Sequence, residues 1–526
     1  MELRRRPAGI RTGRGGIEEE EEEEESGGRR REGREKNIGE MMEEEEEEEP
    51  MSPAARLFHA PHFNCHIIAI MGSGKEIDID VLKAGIRATL ARHPRFCSIQ
   101  VLDETEGKKA RWVRTDVEVE KHLVIPDLHP NGGDTSAADR LLEDYVASLG
   151  RSTMDASRPM WEFHILNFPT SEAAAVAVFR VHHSLGDGAS LMSLLLACFR
   201  KTSDPDALPS LPGPHRPPRS PPRALRPLAL LRRLWVTLVL VWNTVVDVAY
   251  FVATSIFLKD TPTPFKGAEG TEFHPKRFVH RTISLHDVKA IKNAMHCTIN
   301  DVLVGVTSAS LSRYLSRKYG KISTLHTLHH LLLLGQQLPE NIRMRSTLLV
   351  NMRPTPTIHA LAAAMEEGNT SGDKWGNLLG YLLLPFPVAL YKDPLDYVRK
   401  GKSMADRKKN SMEALFTYRS GAVVFKYCGF KAAAALSHRV LSNTTLSFSN
   451  IVGPIEEIEF YGHPMVYLAP TVCGHPHALT VTLMSYMNTM KVVLAVDELA
   501  IPDPHQLLDD FADSLELIKE ALPRRT

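Results

Sequence analysis

Cysteine is scarce in this sequence, and its spacing excludes two classes of protein. The six cysteines lie far apart, at Cys65, Cys97, Cys198, Cys297, Cys428 and Cys473. No two of them form the Cys-x-x-Cys pair of a zinc site or a dithiol redox centre. The dense disulfide framework of a small secreted domain is also absent. We therefore expect a protein of a reducing compartment.

The N-terminus lacks the apolar stretch that begins a secretory signal peptide. Residues 1–50 instead hold 19 glutamates and 10 basic residues. Such a segment buries too little apolar surface to offset its chain entropy, so we predict a disordered acidic tail. The whole chain carries a net charge of −1, so the other residues carry about +8. This value argues against nucleic acid as a partner and suits an anionic substrate or lipid.

The chain is too long for a single hydrophobic core, and its hydrophobic pattern divides it into two halves. Strands and helices alternate through residues 51–202 and again through residues 276–526, which is typical of layered α/β domains. Residues 203–275 separate the halves and begin with a stretch rich in proline and arginine. We predict that this stretch is an extended linker.

A long apolar segment follows the linker. Residues 234–258 contain 19 apolar residues, enough to cross a bilayer. However, Asn243, Asp247 and Thr254 form a polar stripe at helical spacing, and a single crossing would place the two halves on opposite sides of the membrane. We therefore predict a helix that lies in the membrane interface, or enters it and returns. The alternative is a crossover helix buried against protein.

No metal site is predicted. His326, His329 and His330 have helical spacing in the apolar segment 325–335, but no acid or cysteine completes a ligand set. His475 and His477 share one side of a predicted strand without a third ligand. The role of segment 325–335 is left open.

The motif HHSLGDG, residues 182–188, carries the clearest chemical signal. It follows a predicted strand and precedes a predicted helix. Side chains alternate along a strand, so only one of His182 and His183 can enter a given cavity. Asp187 stands where it can cap the following helix, and Gly188 leaves the start of that helix open to a ligand. A neutral histidine here would serve as a general base, whereas the structural alternative is a polar turn.

Seven segments together resemble a known family. HHSLGDG matches the HHxxxDG motif of the CoA-dependent acyltransferase superfamily, and further matches narrow the resemblance to the plant group of wax ester synthase/acyl-CoA:diacylglycerol acyltransferases. The other segments follow in the family's order: SPAARLFHAPHFN (52–64), RPMWE (158–162), NDVL (300–303), NMRP (351–354), WGNLLGYLLLPF (375–386) and SNIVGP (449–454).

The resemblance implies an O-acyltransferase that moves a fatty acyl group from acyl-CoA to a long-chain alcohol, and to diacylglycerol as a lesser activity. His183 would be the general base, and His182, Asp187 and Gly188 would shape the site. No cofactor is implied, because acyl-CoA is a co-substrate. The alternatives are transfer to another alcohol, or a membrane-associated lipid-binding protein without catalysis.

Four further residues are candidates for binding substrate or the oxyanion. Asn300 could face the developing oxyanion, but Asn300 and Asp301 could equally cap a helix. Arg353 could meet a CoA phosphate or pair with a carboxylate. Gly453 could allow the backbone to approach the acyl thioester.

The resemblance also implies an architecture and a location. We expect a two-domain, chloramphenicol-acetyltransferase-like α/β sandwich with a long apolar tunnel between the halves and His183 at its centre. We expect the protein at the cytosolic face of the endoplasmic reticulum membrane, or alternatively at the plasma membrane.

Overall fold

A computed structural model describes residues 48–102, 110–130, 134–212, 226–326, 338–339, 341–352, 358–367, 375 and 377–523. Sixteen strands run through this part of the chain: β1 Glu48–Pro50, β2 His66–Ser73, β3 Ser98–Val101, β4 Arg111–Arg114, β5 Leu123–Val124, β6 Trp161–Leu166, β7 Ala175–His182, β8 Phe199–Lys201, β9 Lys276–Ser284, β10 Arg345–Asn351, β11 Leu379–Pro385, β12 Leu446–Val452, β13 Ile458–Phe460, β14 His463–Cys473, β15 Leu479–Tyr486 and β16 Thr489–Asp497.

Eleven α-helices accompany the strands in the described residues: α1 Pro53–Leu57, α2 Ile79–Ala88, α3 Thr135–Leu149, α4 Gly188–Cys198, α5 Arg226–Ile256, α6 Leu285–Ala294, α7 Ile299–His326, α8 Ile358–Glu367, α9 Leu395–Lys409, α10 Glu413–Asn443 and α11 Pro504–Glu520. Capping residues explain several helix starts. Asp78, for example, accepts hydrogen bonds from the backbone N–H groups of Asp80 and Val81 at the start of α2.

Two large mixed sheets form the body of the fold. One has seven strands in the order β5-β6-β7-β2-β14-β13-β8, and the other has six in the order β11-β10-β12-β15-β16-β9. Every residue of β7 is buried, as expected for a central strand with both faces covered. Its one charged side chain, Arg180, pairs with Glu162 on β6 and donates to Ser152.

The two halves of the sequence share the seven-stranded sheet. β14 pairs antiparallel with β2 along most of its length, from Met465 opposite Ser73 to Cys473 opposite His66. The sheet therefore combines residues 66–201 with β13 and β14, which belong to the C-terminal half. The segment that joins the halves includes α5. It follows β8 of the seven-stranded sheet and precedes β9 of the six-stranded sheet.

The predicted alternation of strands and helices is confirmed in both halves. Residues 111–119 alternate in hydrophobicity like a single strand, but β4 stops at Arg114 and a 3-10 turn occupies Val119–His122. The disordered tail was predicted to reach residue 50, but Glu48–Pro50 form β1 against β4. Glu48 pairs there with Arg111, and Glu49 pairs with Arg95. The rest of the tail, residues 1–47, lies outside the described residues.

Candidate active site

The HHSLGDG motif forms a strand–turn–helix junction, as predicted. β7 ends at His182, residues His183–Leu185 form a 3-10 turn, and α4 begins at Gly188. The backbone N–H of His183 donates to the carbonyl of Cys65, just before β2. The turn is thus fixed to the neighbouring strand at the position of the second histidine.

His183 lines a cavity between the two large sheets. The cavity has a volume of ≈ 410 Å³, within the range of small-molecule sites, about 300–1,000 Å³. The ring of His183 stacks on Phe58 with centroids 4.1 Å apart. Its Nδ1 atom is buried without a hydrogen-bond partner in another described residue.

Burial sets the protonation state of His183. Removal from water lowers its pKa below 6.5, while its own backbone, the Asp187 charge and the Asn377 side chain raise it by smaller amounts. The neutral imidazole is therefore the stable form at neutral pH, which is the form that can accept a proton.

His182 faces a polar network on the other side of the strand. Its Nδ1 lies 2.6 Å from the hydroxyl of Ser184, and its Nε2 lies 3.0 Å from the Oδ1 of Asn64. Ser184 in turn donates to Gln100 over 2.7 Å. The two histidines are thus separated as predicted, at the point where the strand passes into the turn, and only His183 lines the cavity.

Asp187 and Gly188 occupy the predicted positions. The Asp187 carboxylate accepts a hydrogen bond of 2.9 Å from the backbone N–H of Ser190 and caps α4. No atom lies within 4 Å of the position that a Cβ would take on Gly188. Both residues line the cavity, so the helix start is open to it.

The C-terminal half fixes the turn through two side chains that were not among the predicted site residues. The amide nitrogen of Asn377 donates to the carbonyls of His183 and Ser184, over 2.9 and 3.1 Å. The indole nitrogen of Trp375 donates to the carbonyl of Leu185 over 2.7 Å. Three consecutive carbonyls after β7 are therefore held by the WGN segment. That segment supported the resemblance, but no chemistry in the sequence assigned a role to it.

Three of the four tentative residues, Asn300, Asp301 and Gly453, are described by the structure, and none of them lines the cavity with His183. Thr298 caps α7, and Asp301 accepts from the backbone N–H of Thr298, so the two form a reciprocal capping box. Asn300 does not cap the helix: it is exposed and accepts a hydrogen bond from Asn450. Asn450, and not Asn300, lines the cavity.

Gly453 has a structural role that differs from the predicted one. A Cβ at this position would lie 2.2 Å from the carbonyl oxygen of Ser485, so the glycine allows two backbone segments to approach each other. It does not line the cavity. Arg353 lies outside the described residues.

The cavity wall is more polar than predicted. Apolar residues alternate with hydroxyl and amide groups, including Ser447, Ser449 and Asn450 on β12, Thr471 on β14 and Thr482 on β15. The hydroxyl oxygen of Thr471 is buried without a hydrogen-bond partner in the described residues. This hydroxyl is therefore an unsatisfied polar group in the wall of the cavity.

Comparison with known proteins identifies the family. A family model for the wax ester synthase/diacylglycerol acyltransferase catalytic domain matches residues 53–303, and one for the WS/DGAT C-terminal domain matches residues 375–519. The chain belongs to this family. Wax ester synthase/diacylglycerol acyltransferases 6 and 4 of Arabidopsis thaliana are each 48% identical to the chain; the alignments cover 90% of the chain and 94% and 91% of the relatives.

Solved structures agree with the fold. The wax ester synthase/diacylglycerol acyltransferase of Marinobacter aquaeolei VT8 is similar with a TM-score of 0.55 and 17% identity, covering 90% of this chain and all of that one. The first condensation domain of the CDA synthetase has a TM-score of 0.50 and 13% identity, covering 90% and 97%. The predicted fold class is confirmed, and so is the prediction that this wax ester synthase/diacylglycerol acyltransferase family member is an acyl-CoA-dependent acyltransferase.

In this family member the apolar helix α5 presents its apolar face outward. It is the one described helix long and apolar enough to cross a membrane, and only 11% of that stretch is buried. Most of the surface of α5 is therefore exposed, and the alternative of a helix buried against protein is wrong. The exposed apolar residues include Leu231, Leu234, Trp235, Leu238, Val241, Trp242, Val245, Val252 and Ile256.

The polar stripe of α5 faces the protein. Asp247 pairs with Arg407 and Lys408 of α9 over 2.5 and 3.0 Å. Near the end of the helix, Thr254 accepts from Arg345 of β10, whose guanidinium also binds the buried Asp260. The polar residues that argued against a membrane crossing are thus the attachment of α5 to the C-terminal half.

Proposed function

We propose that the protein transfers fatty acyl groups from acyl-CoA chiefly to long-chain alcohols, forming wax esters, and more slowly to diacylglycerol. The observation that carries this proposal is the neutral, buried His183 in the wall of a cavity between the two sheets. Membership of the family supports acyl-CoA as the donor and an alcohol or diacylglycerol as the acceptor.

In the proposed reaction, His183 acts as the general base. Its imidazole accepts the proton of the acceptor hydroxyl as the oxygen attacks the thioester carbonyl. The carbon–sulfur bond then breaks, and the proton passes from the imidazolium to the CoA sulfur. The products are the ester and free CoA, so no covalent enzyme intermediate and no cofactor are required.

The hydroxyl of Thr471 is our candidate for stabilising the oxyanion. It is buried, lines the same cavity as His183 and lacks another hydrogen-bond partner in the described residues. It replaces Asn300 in this role, because Asn300 does not line the cavity.

We also propose that the outward face of α5 lies in the cytosolic surface of the endoplasmic reticulum membrane. A row of exposed apolar side chains, with Arg232 and Arg233 exposed near its start, suits the boundary between lipid tails and anionic headgroups. The sheet shared by the two halves supports a helix that stays on one side of the bilayer. Such a position would deliver lipid-soluble acceptors to the enzyme.

An acceptor profile tests the proposed activity. Purified protein would receive labelled palmitoyl-CoA with hexadecanol, with diacylglycerol or with a short soluble alcohol, and the esters would be separated by chromatography. We expect the wax ester to form fastest and triacylglycerol more slowly. Ester formation only with the soluble alcohol would contradict the proposed acceptor, and no ester with any alcohol would favour the non-catalytic lipid-binding alternative.

A further inference from the structure

Three side chains from distant parts of the sequence meet away from the cavity. His62 belongs to a 3-10 turn, Pro61–Phe63, and Glu272 belongs to a second turn, Thr271–Phe273. His438 lies near the end of α10. One ligand atom from each side chain lies within 4.8 Å of the other two.

The two imidazoles converge on a single carboxylate oxygen. His62 Nδ1 lies 2.7 Å from Glu272 Oε1, and His438 Nε2 lies 3.0 Å from the same atom. A tetrahedral ion with metal–ligand bonds of about 2.0–2.1 Å holds its ligand atoms roughly 3.3 Å apart. The two measured distances are a few tenths of an ångström shorter than this spacing, so a bound ion requires the two imidazoles to move slightly away from Glu272; the His62 side chain is 55% exposed and has room to do so.

The ligand chemistry selects the kind of ion. Two imidazole nitrogens and one carboxylate oxygen suit zinc, cobalt or nickel, whereas magnesium and calcium prefer oxygen ligands alone. Each imidazole now donates a hydrogen bond to Glu272, and a divalent cation would replace the two protons of these bonds. The Glu272 side chain is only 3% exposed, so it is held in place, and the exposed side of His62 leaves a fourth position for water.

The surroundings indicate what the ion would do. Phe58, Phe63, Cys65 and Leu441 form a small apolar cluster beside the three ligands. Leu441 lies one helical turn from His438, and Phe58 stacks on His183. An ion at this place would join the turn before β2 to α10, and so hold the segment that packs against the catalytic histidine.

We propose that His62, Glu272 and His438 bind one zinc-class divalent cation, which joins the N-terminal turn to the C-terminal half. The ion is structural in this proposal and takes no part in acyl transfer. This site could not be recognised from the sequence, because its ligands are separated by 210 and 166 residues.

Cobalt binding tests the proposal directly. Full-length protein, stripped with a chelator, would be titrated with Co²⁺, followed by its visible absorption, and then with Zn²⁺ and Mg²⁺. We expect one Co²⁺ per chain with tetrahedral absorption, displaced by Zn²⁺ and not by Mg²⁺. Absence of a bound ion in the wild-type protein would overturn the proposal.

Variants locate the ion. His438→Gln and Glu272→Gln should weaken binding by at least about 100-fold, while the exposed His286→Gln should not change it. His62→Gln provides a second test at an exposed position, should the buried changes unfold the protein by circular dichroism. The proposal is contradicted if the ion binds fully to His62→Gln, Glu272→Gln and His438→Gln. It is also contradicted if changing His326, His329 and His330 together to Gln abolishes binding, because the ion would then lie elsewhere.

Discussion

At the scale of single residues, the environment of each histidine decides its role. His182 and His183 are adjacent in sequence, but one enters a polar network and the other lines the cavity. Strand alternation made this difference predictable. Which groups hold the turn was not predictable, because Asn377 reaches His183 across 194 residues and its contact depends on how the two halves pack.

The pH dependence of the reaction follows from the burial of His183. Its pKa is lowered from 6.5, so the base stays neutral until the pH falls below the value of free imidazole. We expect kcat/KM to be level at neutral pH and to fall on an acidic limb whose midpoint lies below about 6.5. A pH–rate profile measures this, and a midpoint above 6.5 would contradict the assigned environment.

Asn377 is predicted to act as a positioning residue. Asn377→Ala leaves two buried carbonyls without their donor, at a cost of about 1–3 kcal/mol each, and frees the turn that carries His183. We expect kcat to fall about tenfold or more with a smaller change in KM. The exposed Asn293→Ala serves as the control. A normal kcat in Asn377→Ala, with only a lower melting temperature, would assign the residue a purely structural role.

At the scale of elements, the hydrophobic pattern predicted regular helices and strands and missed irregular ones. β14 was overlooked because Pro464 and Pro470 interrupt its pattern, and proline is rare within a sheet. α10 was overlooked because its 31 residues have no clear apolar face and bend at Gly429, where φ is 82°. The apolar character of α5 was evident from sequence, but not that its polar stripe faces protein.

Membrane binding by the outward face of α5 can be tested by placing negative charges on that face. Trp235 and Trp242 are 68% and 69% exposed, so changing both to Glu should leave the melting temperature unchanged. Each large apolar side chain contributes about 1.5–3 kcal/mol when it leaves water, so vesicle binding should weaken by at least about tenfold. The control is Leu499→Glu, because Leu499 is 79% exposed and lies in the turn after β16, outside α5. Equal sedimentation of both variants with anionic vesicles would exclude α5 as the membrane contact.

At the scale of the whole molecule, the fold joins two halves that the sequence presents as separate. The alternating pattern predicted the α/β class and the two-part organisation, and the resemblance predicted the sandwich. The sequence does not predict that β13 and β14 of the C-terminal half pair with strands of the N-terminal half. Strand order depends on pairings between residues hundreds of positions apart.

Buried neutral histidines should make the stability of the molecule sensitive to acid. Burial lowers the pKa of His66, His93 and His475 to about 3, whereas the unfolded chain binds these protons near pH 6.5. The contribution of these histidines to the free energy of unfolding is therefore fully present above that pH, and it is lost as the pH falls from about 6.5 towards 3. Each histidine contributes about 1.4 kcal/mol per pH unit in this range.

Melting temperatures between pH 7 and pH 4 check this expectation. We predict a steep decline below pH 6 and a shallower one in His93→Gln, because one buried proton acceptor is removed. His286→Gln, in which an exposed histidine is lost, should follow the wild-type curve. A melting temperature that stays constant down to pH 5 would contradict the account of the buried histidines.

The role of His183 as the general base is tested by replacing its imidazole. Wild type, His183→Gln and His286→Gln would be compared for wax ester formation from labelled palmitoyl-CoA and hexadecanol, with circular dichroism to confirm folding. We predict that folded His183→Gln loses about 10²–10⁴-fold in kcat, while His286→Gln keeps the wild-type rate. Equal ester formation by folded His183→Gln and wild type would contradict this role.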